Sequence, residues 1–337
     1  MPIQANVDLH HFNTFHVSAR SRWFAEVATV EALREVLAWH KGKDIPLMLL
    51  GQGSNILFRE NYPGLIIELA IKGITVQQST ESSVLVQAMG GEIWHPFVTH
   101  CLKQGWYGLE NLSLIPGTVG AAPVQNIGAY GVELKDLLHE VQALEIASGN
   151  MKTFTNDDCG FSYRSSVFKE DLREQYIITD VTFSLSSKPR LNLEYPALQQ
   201  ALSDVPRESI TPQLVSDKVC EIRRSKLPDP DMLGNAGSFF WNPRIGQDRF
   251  AELKALYPDL PGYAEGNSVK IPAAWLIEKA GWKGYRDGDV GVHERHALVL
   301  VNHGGATGAE LVALSERIQA SVAEKFGIQL WPEVRIV

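Results

Sequence analysis

Ile45-Pro46-Leu47-Met48-Leu49-Leu50-Gly51-Gln52-Gly53-Ser54-Asn55-Ile56-Leu57-Phe58 decides how this chain is read. The apolar run up to Leu50 predicts a buried strand, and Ile56-Leu57-Phe58 predicts a second strand rather than a helix. Between them lies a glycine-rich turn, which can aim backbone N–H groups at phosphate oxygens. The dinucleotide fingerprint requires a third glycine at position 56, which here is Ile56. No Gly-Lys-Ser/Thr follows, so a Walker A loop is excluded as well. Two readings stay open: an ordinary tight turn, or a phosphate cradle outside the Rossmann pattern.

Outward from this stretch the early chain alternates α and β. Residues 31–40 place Leu33, Val36, Leu37 and His40 on one helical face, and Gly42 follows as a stop. Residues 65–67 and 83–87 predict short strands, and 94–104 a helix stopped by Gly105. Strand patterns dominate 141–185, with a hairpin at Ser148-Gly149-Asn150. Residues 186–208 are polar and proline-punctuated, which predicts a linker or lid. A new helix begins at Thr211-Pro212, buries Leu214, Val215, Val219 and Ile222, and ends in Arg223-Arg224-Ser225-Lys226. The last third predicts a helix over 272–280, a strand over 297–301, and a helix opened by the Thr307/Glu310 capping box. A terminal strand follows over 328–337.

The bulk numbers bound the function. The chain has 337 residues, 45% hydrophobic and 21% charged, as expected of a soluble globular protein of two or three domains. A net charge of −8 argues against nucleic-acid or anionic-membrane partners, while allowing a local basic patch for a small anion. Cys101, Cys159 and Cys220 have no CxxC spacing, so the expectation is buried or partly buried thiols in a reducing cytosol, with no disulfide framework or zinc site. The first eight residues lack the basic start and apolar core of a signal peptide. His293, His296 and His303 are too loosely spaced to predict a metal set.

Residues 111–132 carry no charge, but Pro116, Pro123 and four glycines make them too broken for a membrane helix. The stretch suits backbone lying against a large flat or diphosphate-bearing ligand. The alternative is a purely structural loop, in which much irregular backbone must find partners. Gly234-Asn235-Ala236-Gly237-Ser238-Phe239-Phe240 sets one hydroxyl between flexible backbone and an aromatic pair: a donor in a site, or a loop residue. Arg223, Arg224 and Lys226 either answer the helix dipole or bind a diphosphate or carboxylate. Glu333 either pairs with Arg335, two residues on, or works elsewhere.

Taken together, Gly51-Gln52-Gly53-Ser54-Asn55, Ile115-Pro116-Gly117-Thr118-Val119-Gly120, Asn126-Ile127-Gly128-Ala129-Tyr130-Gly131, Tyr163-Arg164, Lys226-Leu227-Pro228, Gly237-Ser238-Phe239-Phe240-Trp241-Asn242-Pro243 and Pro332-Glu333-Val334-Arg335 resemble the UDP-N-acetylenolpyruvoylglucosamine reductases. These are flavoenzymes of peptidoglycan precursor synthesis. The resemblance runs from about Asn13 to the C-terminus. It implies an α+β fold of the vanillyl-alcohol-oxidase type, with two FAD-binding subdomains and a C-terminal α+β substrate-binding domain. The expected boundaries are 1–70, 71–210 and 211–327, with 328–337 returning to the first.

The resemblance also assigns roles. Ser238 matches the proton donor, and Arg164 and Glu333 the other catalytic positions. Gly51, Gln52, Gly53, Ser54, Asn55, Pro116, Gly117, Thr118, Gly120, Ala121, Ala122, Asn126, Ile127 and Gly128 are expected to hold FAD. Some members carry serines at Ala121-Ala122, so flavin hydrogen bonds there are expected from backbone. No histidine lies near the first loop, so the FAD is expected to be noncovalent. Tyr130, Tyr195, Arg223, Lys226, Asn242 and His296 are expected to contact a UDP-sugar, with NADPH as co-substrate. The resemblance implies a cytoplasmic enzyme with no metal and no protein partner. A binding protein that lost turnover, or a flavin oxidase for another substrate, is separated from this expectation by flavin colour and by sugar-dependent NADPH oxidation.

Overall fold

The computed structural model describes residues 3–337. The chain forms two compact units. One comprises residues up to Val7, Arg22–Gln52 and Pro63–Ser225; the other comprises Asp8–Ser21, Gly53–Tyr62 and Lys226–Val337.

The first unit holds two sheets. A four-stranded sheet runs in the order Gln4–Asp8, Arg20–Val27, Tyr62–Leu69, Leu47–Leu50. Its last two strands are parallel, with Leu47 opposite Leu65. The helix Val30–His40, capped by Thr29 Oγ1 accepting from Ala32 N–H, buries Leu33, Val36 and Leu37. These pack with Ala25, Val27, Leu65 and Ile67. The other sheet is antiparallel, in the order Met151–Thr155, Leu138–Glu145, Tyr176–Ser186, Ser83–Met89, Ile74–Ser79. Its central strand, Tyr176–Ser186, is buried on both faces, which explains why its sequence shows no clean alternation. The helix Trp94–Lys103 packs Phe97 onto Phe183 with ring centroids 5.0 Å apart. Burying one such ring stabilises the unit by about 2 kcal/mol.

The polar stretch 186–208 is more structured than its composition predicts. It contains the helix Pro196–Ala201, whose Leu198 packs with Val215 and Val219 of the helix Pro212–Lys226. Four leucines spaced among prolines and charges form that small core, and no regular period announces it.

The second unit is built around the helix Gly308–Phe326. Thr307 and Glu310 form the expected capping box, and Gly327 ends the helix in a left-handed conformation (φ 65°). Leu311, Leu314, Ile318 and Val322 are buried. Gly308 is obligatory, since a Cβ there would lie 1.7 Å from Phe58 O. Two three-stranded antiparallel sheets complete the unit: Arg244–Gly246, Ser268–Lys270, Tyr263–Glu265, and Arg286–Asp287, Val290–Val292, Leu300–Asn302.

The terminal strand is shorter than predicted. Only Arg335–Ile336 forms a ladder, parallel to Ile56–Leu57, while Pro332 makes an isolated bridge to Phe240. Pro332 offers no N–H, and its neighbours are used elsewhere. Trp241 N–H donates to Trp331 O at 2.9 Å, and Glu333 N–H donates to Phe239 O at 2.8 Å.

The loop before that pairing is held by two buried asparagines. Asn235 Nδ2 donates to Leu233 O (2.8 Å) and Pro228 O (3.2 Å), and its Oδ1 accepts from Gly237 N–H at 2.9 Å. Asn302 Nδ2 donates to Phe15 O at 2.8 Å, while its backbone N–H donates to Gly234 O at 2.8 Å. Among the described residues no helix is long and apolar enough to cross a membrane. Cys101, Cys159 and Cys220 are buried free thiols.

Asn235→Ala leaves two carbonyls and one N–H without partners and is expected to destabilise the second unit by roughly 3 kcal/mol. Asn235→Asp keeps the acceptor but sets a carboxylate against two carbonyls, so no rescue is expected. Urea unfolding followed by tryptophan fluorescence measures both.

Candidate active site

In the first unit, two loops lie against each other. Gln52 Oε1 accepts from Gly117 N–H at 2.7 Å, and a Cβ on Gly51 would meet Thr118 Oγ1 at 3.0 Å. Pro116 is exposed beside the buried Gly117 and Thr118. A 3-10 turn over Val119–Gln125 follows. Gly120 is locked in place: a Cβ there would meet Gly90 Cα and Ile178 O at 3.0 Å. Ala121 and Ala122 both donate their N–H groups to Thr118 O, so those N–H groups are already used; Ala121 is exposed and Ala122 buried. Ile127 is buried, and Gly128 opens the short ribbon Gly128–Ala129 with Val132–Glu133.

Asn126 is buried with left-handed backbone (φ 42°). Its Nδ2 donates to Glu133 Oε2 and Ser162 O, both at 3.1 Å, and its Oδ1 accepts from Lys135 N–H at 3.0 Å. The side chain thereby ties the uncharged stretch to the turn that carries Arg164. Ser162 and Ser165 bond to each other across that turn, and Ser166 Oγ donates to Val124 O at 2.8 Å. Arg164 itself has φ 56°, an unusual backbone state for a long side chain and a mark of functional sites.

Arg223, on the helix Pro212–Lys226, donates from Nε to Leu114 O at 3.1 Å. Burial disfavours its charge, as does the repulsion of Arg164, while Tyr130 and Cys220 act in the opposite sense. Neither arginine makes an ion pair among the described residues. Two mutually repelling guanidiniums without a carboxylate are chemically suited to an anion. Tyr130 stands beside them with φ 50°, its ring edge-on to Tyr195 at 5.1 Å. Burial pushes the Tyr130 phenol up and Arg223 pulls it back. Sequence reasoning missed Asn111, whose buried amide donates to Tyr130 O (2.8 Å) and Asn192 O (2.9 Å) and so fixes both tyrosine segments.

In the second unit, Gly53 has φ 61°, and a Cβ there would lie 2.1 Å from Phe12 O. The N–H groups of Gly53, Ser54 and Asn55 donate to no acceptor among the described residues. Three consecutive open donors in a turn where only glycine fits are suited to diphosphate oxygens, and the loop therefore fits the implied dinucleotide. Asn55 also joins this loop to Glu333: its Nδ2 donates to Glu333 O at 3.4 Å, and its O accepts from Arg335 N–H at 3.0 Å.

The same unit holds Ser238. Its neighbours Phe239 and Phe240 are fully buried, Gly237 has φ 69°, and the Phe239 carbonyl is the acceptor of Glu333 N–H. Glu333 thus pairs by backbone with Phe239, the residue after Ser238. Phe239 N–H donates to Leu298 O at 2.8 Å, which sets the 293–299 turn beside Phe239. On that turn, burial first, then His293, Lys226 and Lys283 hold His296 below its ordinary value. Asn242 Oδ1 accepts from Ala273 N–H at 2.9 Å, opening the helix Ala273–Lys279. Lys226 is exposed. No group of ligating side chains suited to a metal occurs among the described residues.

A family model described as the C-terminal domain of UDP-N-acetylenolpyruvoylglucosamine reductase matches residues 229–337. A second, described as an FAD binding domain, matches residues 22–155. The UDP-N-acetylenolpyruvoylglucosamine reductase of Pseudomonas syringae pv. syringae (strain B728a) is 48% identical over 331 residues, covering 98% of this chain and 97% of the relative. That of Chromobacterium violaceum is 48% identical over 339 residues, covering 100% and 99%. The crystal structure of the Thermus caldophilus enzyme aligns over 100% of this chain and 99% of its own, with a TM-score of 0.67 at 24% identity, a likeness of fold. The α+β fold with an FAD-binding segment and a distinct C-terminal domain is the one expected. On this near-full-length identity, the chain belongs to the UDP-N-acetylenolpyruvoylglucosamine reductase family.

Proposed function

We propose that this chain reduces the enolpyruvyl ether of UDP-N-acetylglucosamine enolpyruvate to UDP-N-acetylmuramate, in peptidoglycan precursor synthesis, with NADPH as reductant and noncovalent FAD as carrier. The observation that carries this reading is the 48% identity that spans both the FAD-binding and the C-terminal segments. Both co-substrates are charged nucleotides made and used in the cytoplasm, which is where the enzyme acts; it needs no protein partner.

When bound, FAD held by the 51–55 and 116–128 loops would supply the hydride chemistry, with NADPH as the source of electrons. The chain's residues manage the charge and proton that follow. Negative charge builds on the enolpyruvyl carboxylate as an enediolate. Arg164 stabilises it, and a preorganised donor of this kind contributes about 3 kcal/mol. Arg223, Tyr130 and Tyr195 bind the anionic substrate on the same unit. Lys226, Asn242 and His296 are proposed as substrate contacts as well. Ser238 donates a proton to the adjacent carbon. A hydroxyl is a weak acid, but the carbanion-like centre is a strong base, and close range suffices. Glu333 acts as a protonated acid or orients Ser238, because a bare carboxylate would repel the developing charge.

The first compact unit places the glycine loops 51–52 and 117–120 together, and the second leaves open donors on 53–55; both support the FAD assignment. The proposed domain division assigns 1–70 and 71–210 to FAD and 211–327 to substrate.

Purified enzyme is expected to be yellow and to oxidise NADPH only when the enolpyruvyl sugar is present. Ser238→Ala is expected to leave flavin reduction by NADPH intact and to slow reoxidation by the sugar by roughly 10²–10⁴-fold. Stopped-flow flavin absorbance separates the two half-reactions, and normal reoxidation removes Ser238 from the mechanism. Arg164→Lys keeps the charge but loses the planar fork, and reoxidation is expected to slow by roughly 10²-fold in the same assay.

A further inference from the structure

Leu114 is a leucine in left-handed backbone, φ 59°. That conformation is costly for a residue with a Cβ and persists only where its surroundings impose it. Both sides of its peptide are held. Leu114 N–H donates to His95 Nδ1 at 3.1 Å, and Leu114 O accepts from Arg223 Nε at 3.1 Å. His95 sits in the first turn of the helix Trp94–Lys103. Its neighbour Trp94 adds two bonds to the same stretch, Nε1 to Leu112 O at 2.8 Å and N–H to Gly117 O at 3.0 Å. On the other side, Ser113 Oγ and the buried Ser216 Oγ lie 2.7 Å apart, and Ser216 is on the helix of Arg223. All of these residues lie in the first unit.

We propose that His95 is a positioning residue: a neutral imidazole whose Nδ1 accepts from the N–H of left-handed Leu114, so that the Leu114 carbonyl aims Arg223 at the substrate anion. A backbone N–H can only donate, so Nδ1 must carry the lone pair and Nε2 the proton. One short peptide then joins three things: the helix of Trp94 and His95, the loop entering Gly117 and Thr118, and the helix carrying Arg223. Losing the imidazole acceptor frees Leu114 to leave the left-handed region. Arg223 would then lose the acceptor that fixes its fork.

The charge environment maintains this state. Burial, Arg224 and Arg223, in that order, hold His95 below its usual value of 6.5; both arginines come from the Pro212–Lys226 helix. The sign follows. A histidine lowered in the folded state binds fewer protons there, so its contribution is complete above pH 6.5 and is lost as the pH falls from there through the lower folded value. Once protonated, Nδ1–H faces Leu114 N–H, and a third positive charge joins Arg223 and Arg224.

The test rests on the reductase reading, and its two parts separate that reading from the inference. In the FAD-loaded wild type labelled with ¹⁵N-histidine, the His95 resonances, assigned by their absence in His95→Asn, are expected to show the Nε2–H tautomer at pH 8. An Nδ1–H tautomer overturns the proposal whatever the enzyme's substrate. In steady-state assays His95→Leu is expected to raise the KM for the UDP-sugar roughly tenfold at pH 8, with FAD content and the rate of flavin reduction by NADPH retained. His95→Asn places an amide oxygen where Nδ1 stood. It is expected to restore the KM and to abolish the rise in KM that wild type shows on acidification. An Asn variant as impaired as the Leu variant, or FAD loss equal to the loss of sugar affinity, overturns it. A wild type that ignores the sugar defeats the functional reading alone, and the tautomer still decides the clamp.

Discussion

Irregular backbone buried away from water must find hydrogen-bond partners, and in this protein buried asparagines provide them. Asn13, Asn111, Asn126, Asn235 and Asn302 are all buried. Asn13 bonds Leu9 O, Val17 O and Val17 N–H; Asn111 bonds Tyr130 O and Asn192 O; Asn302 bonds Phe15 O, Gly304 N–H and Ala306 N–H. A carboxamide offers two donors and an acceptor without charge, so one side chain replaces a piece of ladder where no strand runs. The site loops depend on this. Asn235 sets the turn before Ser238, and Asn126 sets the turn before Arg164.

These loops carry left-handed residues that are not glycine: Leu114, Asn126, Tyr130 and Arg164 in the first unit. Such residues cluster where geometry is held against local preference. Here each is pinned by an adjacent asparagine, histidine or serine, and Arg164 and Arg223 emerge as like charges without a carboxylate. Two guanidiniums held near each other without a carboxylate are suited to receive an anion. That arrangement favours a substrate carrying carboxylate and diphosphate over a neutral one.

The sequence made the regular elements legible where periodicity was strong. The Thr307–Glu310 box, the apolar stripe through Val322 and the Gly327 stop all recur in the helix Gly308–Phe326. Weak periodicity misled at two places. The proline-punctuated residues 186–208 hide the helix Pro196–Ala201, because its core combines four irregularly spaced leucines of the stretch with Val215 and Val219 from a later helix. The terminal run was read as one strand, but Pro332 and the pairing of Trp331 and Glu333 with Trp241 and Phe239 leave only Arg335–Ile336 in a ladder.

By itself the sequence determined the elements, the glycines that no other residue can replace, and, through the combined motifs, the family. Local rules suffice there, since caps, turns and close approach act within a few residues. Only the tertiary structure decided what each polar side chain is for. It paired Glu333 with Phe239, the residue after Ser238, through one backbone hydrogen bond across 94 residues of chain. It also spent the amide of Asn126 on Ser162 and recruited His95 to Leu114. The physical reason is that hydrogen bonds and charge repulsion depend on distance in space, and no spacing along the chain encodes which distant carbonyl an amide will meet.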